Sequence, residues 1–334
     1  MTFMKRIVLL FVCCSLAFSA WAQFEYIEAQ EQKEEVAEQT KRFQCGQNRQ
    51  PVRVSTFTTN PPFGWTERKL TMQHYDYFAK GYNVDFLKEI MDELNIYTRF
   101  VGYKTDEEML QAFVRGDLDI IVGMYYDTAN YGRIASTVVP SFMQNFITVI
   151  FMKGKEKDVK TFADLAGLKG VVRQDEHFYD YVYKMMPKDA NMVQVPNSRE
   201  AFTKLLTGEV DYMLASPYSA EAEARRFKMN LEISMIPVPL LGQELFVMYS
   251  KASQCPQYGR MIAKKIHEKR QDMPGMQRKL VSYIDSWGQR FKDTPSLREQ
   301  LGLTQQDVAK ENTPESLLEE QPKTDTVEQP VAMP

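Results

Sequence analysis

The chain has 334 residues, 44% hydrophobic and 25% charged, which is room for two domains of ordinary size, each with a core. Its formal net charge of -3 excludes the basic footprint of a nucleic-acid-binding protein. The three histidines, His74, His177 and His267, are scattered without ligand spacing, so no metal site and no cofactor are expected.

The opening MTFMKRIVLLFVCCSLAFSAWAQ carries Lys5 and Arg6, an apolar run from Ile7 and the small-x-small pattern Ala20-Trp21-Ala22. This pattern predicts a secretory signal (residues 1–22) cleaved after Ala22. Its apolar run is shorter than the ~20 residues of a spanning helix. Neither Cys13 nor Cys14 follows a small residue, which argues against a lipoprotein signal. A bacterial periplasmic location is therefore expected. Loss of the signal leaves Cys45 and Cys255. Two cysteines in an oxidising compartment favour one disulfide, and two unrelated thiols are the alternative.

Residues 23–50 are rich in Glu and Gln and predict a solvated helix or flexible arm. VRVSTF, from Val52, alternates apolar and polar residues, a strand running into the turn TTNPPFGW. GYNVDFLKEIMDELNI places Val84, Leu87, Ile90, Met91 and Leu94 on one helical face. After the strand YTRFVGY, Thr105 and Glu108 form a capping box for a helix ending at Gly116, and the strand LDIIV follows. That order is a doubly wound α/β lobe. A second series begins with the strand FITVIFMKG, the short helix and turn TFADLAGLKG, the strand VVRQ and the helix FYDYVYKMM. Asn197 with Glu200 then opens a helix that ends at Gly208, before the strand VDYMLA.

RGDLDIIVGM (115–124) is thus echoed by TGEVDYMLAS (207–216) with a helix at the same offset, which predicts two similar lobes. Two further helical stretches, GRMIAKKIHEKRQDM and QRKLVSYIDSWGQRF, lead to Phe291, the last aromatic residue. Residues 293–334 are acidic and dotted with Pro, and predict a flexible tail. In parallel α/β sheets ligands bind outside the carboxyl ends of the strands. That rule selects Phe57 to Phe63, Gly123 to Tyr126, Gln174 to His177 and Ala215 to Tyr218.

The order VRVSTFTTNPPFGW, GYNVDFLKEIMDEL, RGDLDIIVGM, ADLAGLKGVV and TGEVDYMLA resembles the family 3 solute-binding proteins, periplasmic receptors for polar amino acids and related compounds. The match spans roughly Val52 to Phe291. It implies a type II periplasmic-binding-protein α/β fold, each lobe a mostly parallel sheet flanked by helices, joined by a two-stranded hinge. Lobe 1 would comprise 51–143 and 243–292, and lobe 2 would comprise 144–242. Cys45 and Cys255 would then share lobe 1. A small-molecule ligand would pass to an inner-membrane ABC permease or a sensor.

Carried over residue by residue, the family's ligand positions are altered. Its serine after the glycine corresponds to Tyr125. Its carboxylate-clamping arginine corresponds to Asn130 or Tyr131, with Arg133 the nearest guanidinium. Its ammonium-binding acid corresponds to Ser216, its Gly-Thr pair to Asp175 and Glu176, and the acid and aromatic of the first turn to Phe57 and Asn60. Recognition of an amino acid needs a bidentate Arg and an acid, and both expected positions lack them.

The candidate ligand residues are Phe57, Asn60, Phe63, Tyr125, Tyr126, Tyr131, Arg133, Gln174, Glu176 and Ser216. With Asp127 and Asp175 nearby, they suggest a box for a cationic or ring-bearing ligand. The plainer alternative makes Tyr125 core, in a chain with 17 tyrosines, and Asp127 and Asp175 solvated. Three functions compete. The first is a solute receptor, which is not an enzyme. The second resembles the periplasmic cyclohexadienyl dehydratases, with Glu176 or His177 as acid. The third is a ligandless scaffold holding a protein partner through its arm and tail. N-terminal sequencing of the exported protein is expected to begin at Gln23; a soluble exported chain retaining Met1 would overturn the signal.

Overall fold

A computed structural model describes residues 45–46, 50–71, 74–126, 132–174, 176, 179–255 and 258–303. The expected signal, Asp127, Asn130, Tyr131, Asp175, His177 and the chain beyond 303 lie outside the described residues. In the first half, β1 (Val52–Ser55) lies between β5 (Thr98–Phe100) and β6 (Ile120–Tyr125), parallel to both. With neighbours on both edges and helices on its faces, β1 has Val52 and Val54 fully buried, as apolar runs in parallel sheets require. Helix α1 (Tyr82–Glu93) sends Leu87, Ile90 and Met91 into the same core. Helix α2 (Asp106–Arg115) packs Met109, Ala112 and Phe113 on the other face. A separate three-stranded antiparallel sheet, β2 (Thr59–Asn60), β3 (Gly64–Thr71) and β4 (His74–Lys80), precedes α1.

β7 (Ala135–Met152) then runs for 18 residues. Its first half pairs with the first lobe through β12 (Leu241–Ser250), from Ala135 opposite Ser250 to Ile147 opposite Leu241. Its second half belongs to the second lobe, antiparallel to β10 (Tyr212–Ala215) and β11 (Ile233–Met235). Beyond β10 come β8 (Lys169–Arg173) and β9 (Asn191–Val195), both parallel. Helices α3 (Tyr179–Met185), α4 (Ser198–Leu206) and α5 (Pro217–Arg226) connect these strands. The chain returns along β12 to the first lobe, where α6 (Gly259–Lys269) and α7 (Met273–Gln289) bury Ile262, Ile266 and Leu280.

The internal echo has a structural cause. Thr105 and Asn197 accept from the amides of Glu108 and Glu200 at 3.2 and 3.0 Å, capping α2 and α4. Gly116 and Gly208, at φ 77° and 71°, turn the chain out of those helices in the left-handed conformation. Asp119 and Asp211 each accept a backbone amide from a parallel strand of their own lobe, Arg53 of β1 at 2.8 Å and Lys169 of β8 at 2.7 Å. Each lobe repeats one way of pinning a helix-strand unit to its neighbouring strand.

Two expected boundaries are corrected. The arm does not extend to residue 50: Cys45 and Gly46 are buried, and Gly46 exchanges backbone bonds with Gln50 and Tyr97, both at 2.7 Å. Cys45 is joined to Cys255 in the first lobe. This bridge closes a loop of 210 residues, about 5 kcal/mol in the chain-entropy limit. The flexible tail does not start at 293 either. A Ser296–Glu299 capping box opens α8 (Leu297–Leu301), and Leu297 is fully buried in the second lobe's core.

After α7 the chain therefore crosses to the second lobe, where the Leu297 amide donates to Phe227 O at 3.0 Å and Arg298 Nε to Glu232 at 2.6 Å. One buried leucine in five residues leaves no periodicity for the sequence to show. Leu297→Ala is expected to lower the unfolding free energy by about 2–5 kcal/mol. Urea denaturation checks this, and a change below about 0.5 kcal/mol would mean that the segment does not hold the second lobe.

Candidate functional site

The carboxyl ends of β1, β6, β8 and β10 converge between the lobes. The loop after β1 is tied to the end of β6: Thr56 Oγ1 donates to Val122 O at 2.9 Å, and Asn83 Nδ2 donates to Thr56 Oγ1 at 3.3 Å. Gly123 (φ 94°) lets Asn83 approach, since a Cβ there would sit 2.0 Å from Asn83 Nδ2. Thr58, two residues on, donates its amide to Asp106 at 2.7 Å, fixing the same loop to α2.

Contacts then cross between lobes. Arg173, at the end of β8, donates to Ser198 Oγ at 2.9 Å in its own lobe and to Thr59 O of the first lobe at 3.3 Å. Its other terminal nitrogen pairs with Glu176 at 3.0 Å. Arg173 and Glu176 are only 8% and 6% exposed. A buried pair is held in place only where its lone pairs and protons find such partners. Asn60 accepts from Ser219 Oγ at 2.9 Å, and the Phe63 ring meets Tyr218 edge-on with centroids 5.8 Å apart.

In the middle, Asn145 of β7 donates to the Tyr125 hydroxyl at 2.8 Å and accepts from Ser216 Oγ at 2.6 Å. Burial, with Glu176's negative charge adding to it, pushes the Tyr125 hydroxyl well above its ordinary pKa. It remains a neutral hydroxyl at physiological pH.

Asn60, Phe63, Tyr125, Glu176 and Ser216 are therefore brought together, while the other four described candidates, Phe57, Tyr126, Arg133 and Gln174, point elsewhere. Phe57, 3% exposed, packs with Met109, Phe113 and Ile121 in the first lobe's core; its position on the strand-end loop points it inward. Tyr126 is 60% exposed, with its ring 5.8 Å from Phe246. Tyr125 instead packs against the opposite core, because successive residues of an extended chain face opposite ways, so the two tyrosines do not form one box.

Arg133 is exposed on the turn before β7. Ala135 pairs with Ser250, whereas Tyr125 pairs with Leu245. Five residues of β12 separate those levels, about 16 Å at ~3.3 Å per residue, farther than an arginine side chain reaches. Gln174 has an exposed side chain and donates its amide to Val195 O at 2.7 Å, extending the sheet. Tyr131 lies outside the described residues.

Sequence reasoning missed Arg173, Asn145 and the partners Ser198 and Ser219, and it placed Tyr218 in a selected loop without naming it as a ligand residue. A signal existed for two of them. An arginine closing the apolar strand VVR, and an asparagine at the head of the apolar run FITVIFM of β7, each place a polar group where burial demands a partner.

No family model and no curated protein matches the sequence. Solved structures do match in fold. The GluR0 ligand-binding core in complex with L-glutamate has a TM-score of 0.55 at 14% identity, covering 72% of this chain and 99% of its own. The amino-acid ABC transporter substrate-binding protein AbpA from Streptococcus pneumoniae, bound to L-arginine, gives 0.54 at 15%, covering 71% and 95%. An ancestral cationic amino-acid solute-binding protein gives 0.51 at 20%, covering 72% and 96%. The chain therefore has the type II periplasmic-binding-protein fold of the family 3 amino-acid-binding proteins.

Asn145→Ala removes a partner from both Tyr125 and Ser216, and each buried polar group left alone costs about 1–3 kcal/mol. A loss of roughly 2–4 kcal/mol is expected in urea denaturation, against about 0.5 kcal/mol or less for Arg133→Ala. Equal effects of the two substitutions would contradict the geometry.

Proposed function

We propose that the protein is an exported solute receptor whose cleft takes a small ligand that is neutral overall, polar or ring-bearing, and is not a free α-amino acid. One observation carries the reading: the guanidinium and the carboxylate at the cleft, Arg173 and Glu176, are bonded to each other. An α-amino acid presents a carboxylate and an ammonium, and each desolvated charge must be met or costs several kcal/mol. With Ser216 turned to Asn145 and Arg133 remote, neither charge of such a ligand finds an opposite partner of its own among the described residues. Tyr125, Asn60 and the backbone of the first loop supply hydrogen bonds and ring surface instead. This narrows the sequence-based expectation of a cationic ligand, because the counter-charge it relied on is already engaged.

Delivery to an inner-membrane ABC permease or sensor, from the periplasm, is part of the proposal and rests on the fold and the signal. The fold is that of binding proteins, and Glu176, held by Arg173, is not presented as a dehydratase acid. The second reading, a closed scaffold for a protein partner, is favoured by the direct bonds between lobes, Asn60 to Ser219 and Arg173 to Thr59.

Native mass spectrometry of the exported protein, followed by calorimetric titration with amino acids, amines and neutral polar or aromatic compounds, tests the choice. A bound neutral compound supports the receptor. A reproducibly empty protein that binds nothing in the panel supports the scaffold. Micromolar binding of glutamate or arginine would overturn the proposal.

A further inference from the structure

The partners of Arg173 differ in how they are held. Arg173 closes β8, in register with Val195 of β9, so its backbone is part of the sheet. Ser198 at the start of α4 and Thr59 O of the facing lobe accept from one terminal nitrogen, at 2.9 and 3.3 Å. The guanidinium is thereby aimed from both lobes, with a second nitrogen directed at a carboxylate oxygen 3.0 Å away. That carboxylate comes from a tight turn: the Glu176 amide bonds Arg173 O at 3.2 Å. The cation sits on rigid structure and the anion on the loop that follows it. The bond from Arg173 to Thr59 O of the facing lobe puts the pair at the contact between lobes and not behind it.

Resting on the cleft reading above, we propose that Glu176 is a built-in stand-in for a ligand carboxylate: it occupies a guanidinium that would otherwise bind one, and so sets the cleft against acidic ligands. An arginine fork accepts a carboxylate from the chain or from solution by the same charge-assisted bonds. A free carboxylate competes against a partner already tethered three residues away, whose effective concentration is far higher than any solute's. The wild-type cleft is therefore closed to monocarboxylates, and Glu176 is its specificity-determining residue.

Glu176→Gln keeps size and hydrogen bonding and removes the charge. In that variant Arg173 loses the charge of Glu176, and sodium formate is the probe. Thermal and urea unfolding of the full exported chain in formate are compared with sodium chloride at equal ionic strength. Formate at about 100 times its Kd should raise the folding equilibrium constant roughly 100-fold in the variant and leave wild type unchanged. Arg173→Gln/Glu176→Gln should lose the response.

If Glu176→Gln does not fold in chloride, recovery of structure in formate is the same positive result. Identical behaviour in formate and chloride, whether the variant is stable or unfolded, would sink the proposal, as would a response that survives in the double variant. The readout needs no natural ligand. An empty wild-type protein would count against the receptor reading while leaving this inference intact, and a formate-blind variant would do the reverse.

Discussion

β7 belongs to both lobes, and its pairing with β12 from Ala135 to Ile147 is the constraint on which the rest of the molecule depends. A continuous 18-residue strand cannot change sheets without carrying its neighbours. It therefore fixes the carboxyl end of β6 opposite that of β10. Asn145 stands at that passage and bonds a side chain from each lobe, Tyr125 and Ser216. This buried polar residue, at the head of the apolar run FITVIFM, ties the two lobes together where they meet. Because an extended strand alternates its faces, the same register that brings Tyr125 to Asn145 sends Tyr126 outward and leaves Arg133 at the remote edge.

A second connection runs through the C-terminal helices. Trp287 of α7 donates to Glu223 of α5 at 3.0 Å, and Arg226 pairs with the same buried carboxylate at 3.1 Å. Trp65 of β3 stacks obliquely on Trp287 with centroids 5.1 Å apart, and Arg290 lies over both rings. α8 then inserts Leu297 into the second lobe. α5 consequently meets the first-lobe loop at its amino end and α7 along its length. Any opening of the lobes about β7 and β12 has to slide α5 along α7 or bend the segment before α8. The aromatic packing and the buried carboxylate oppose that motion, so the closed arrangement is held by more than the two hinge strands.

The electrostatics of the cleft follow from the same closeness. Bringing Arg173 under the first lobe desolvates it, and a desolvated guanidinium requires an acceptor on every side. Thr59 O, Ser198 Oγ and Glu176 meet that requirement from three different elements. Because this cation and anion satisfy each other, the described groups beside them are dipoles and ring edges, which is the basis of the proposed selectivity against charged ligands. Tyr125, kept neutral by burial beside Glu176, fits that surface.

Much of the fold was legible along the chain because it is written in local terms. The apolar face of α1, the caps at Thr105 and Asn197, and the glycines ending α2 and the α4 turn are short-range patterns. The echo of RGDLDIIVGM in TGEVDYMLAS reports two lobes because each copy repeats the same aspartate-to-amide pin. Strand-end topology also selected the four loops that meet between the lobes. The identity of the groups facing one another depended on distance in space, not in sequence. Thr59 and Arg173 are 114 residues apart, Asn60 and Ser219 are 159 apart, and no local pattern couples them. Phe57 looked like a cleft aromatic and is core; Glu176 looked like a charge for a ligand and already has its partner. The sequence determined which segments form strands, helices and loops, since those choices rest on neighbours within a few residues. Only the tertiary structure decided which side chains the cleft has left for a ligand, since burial makes every charge answer to whatever lies across from it.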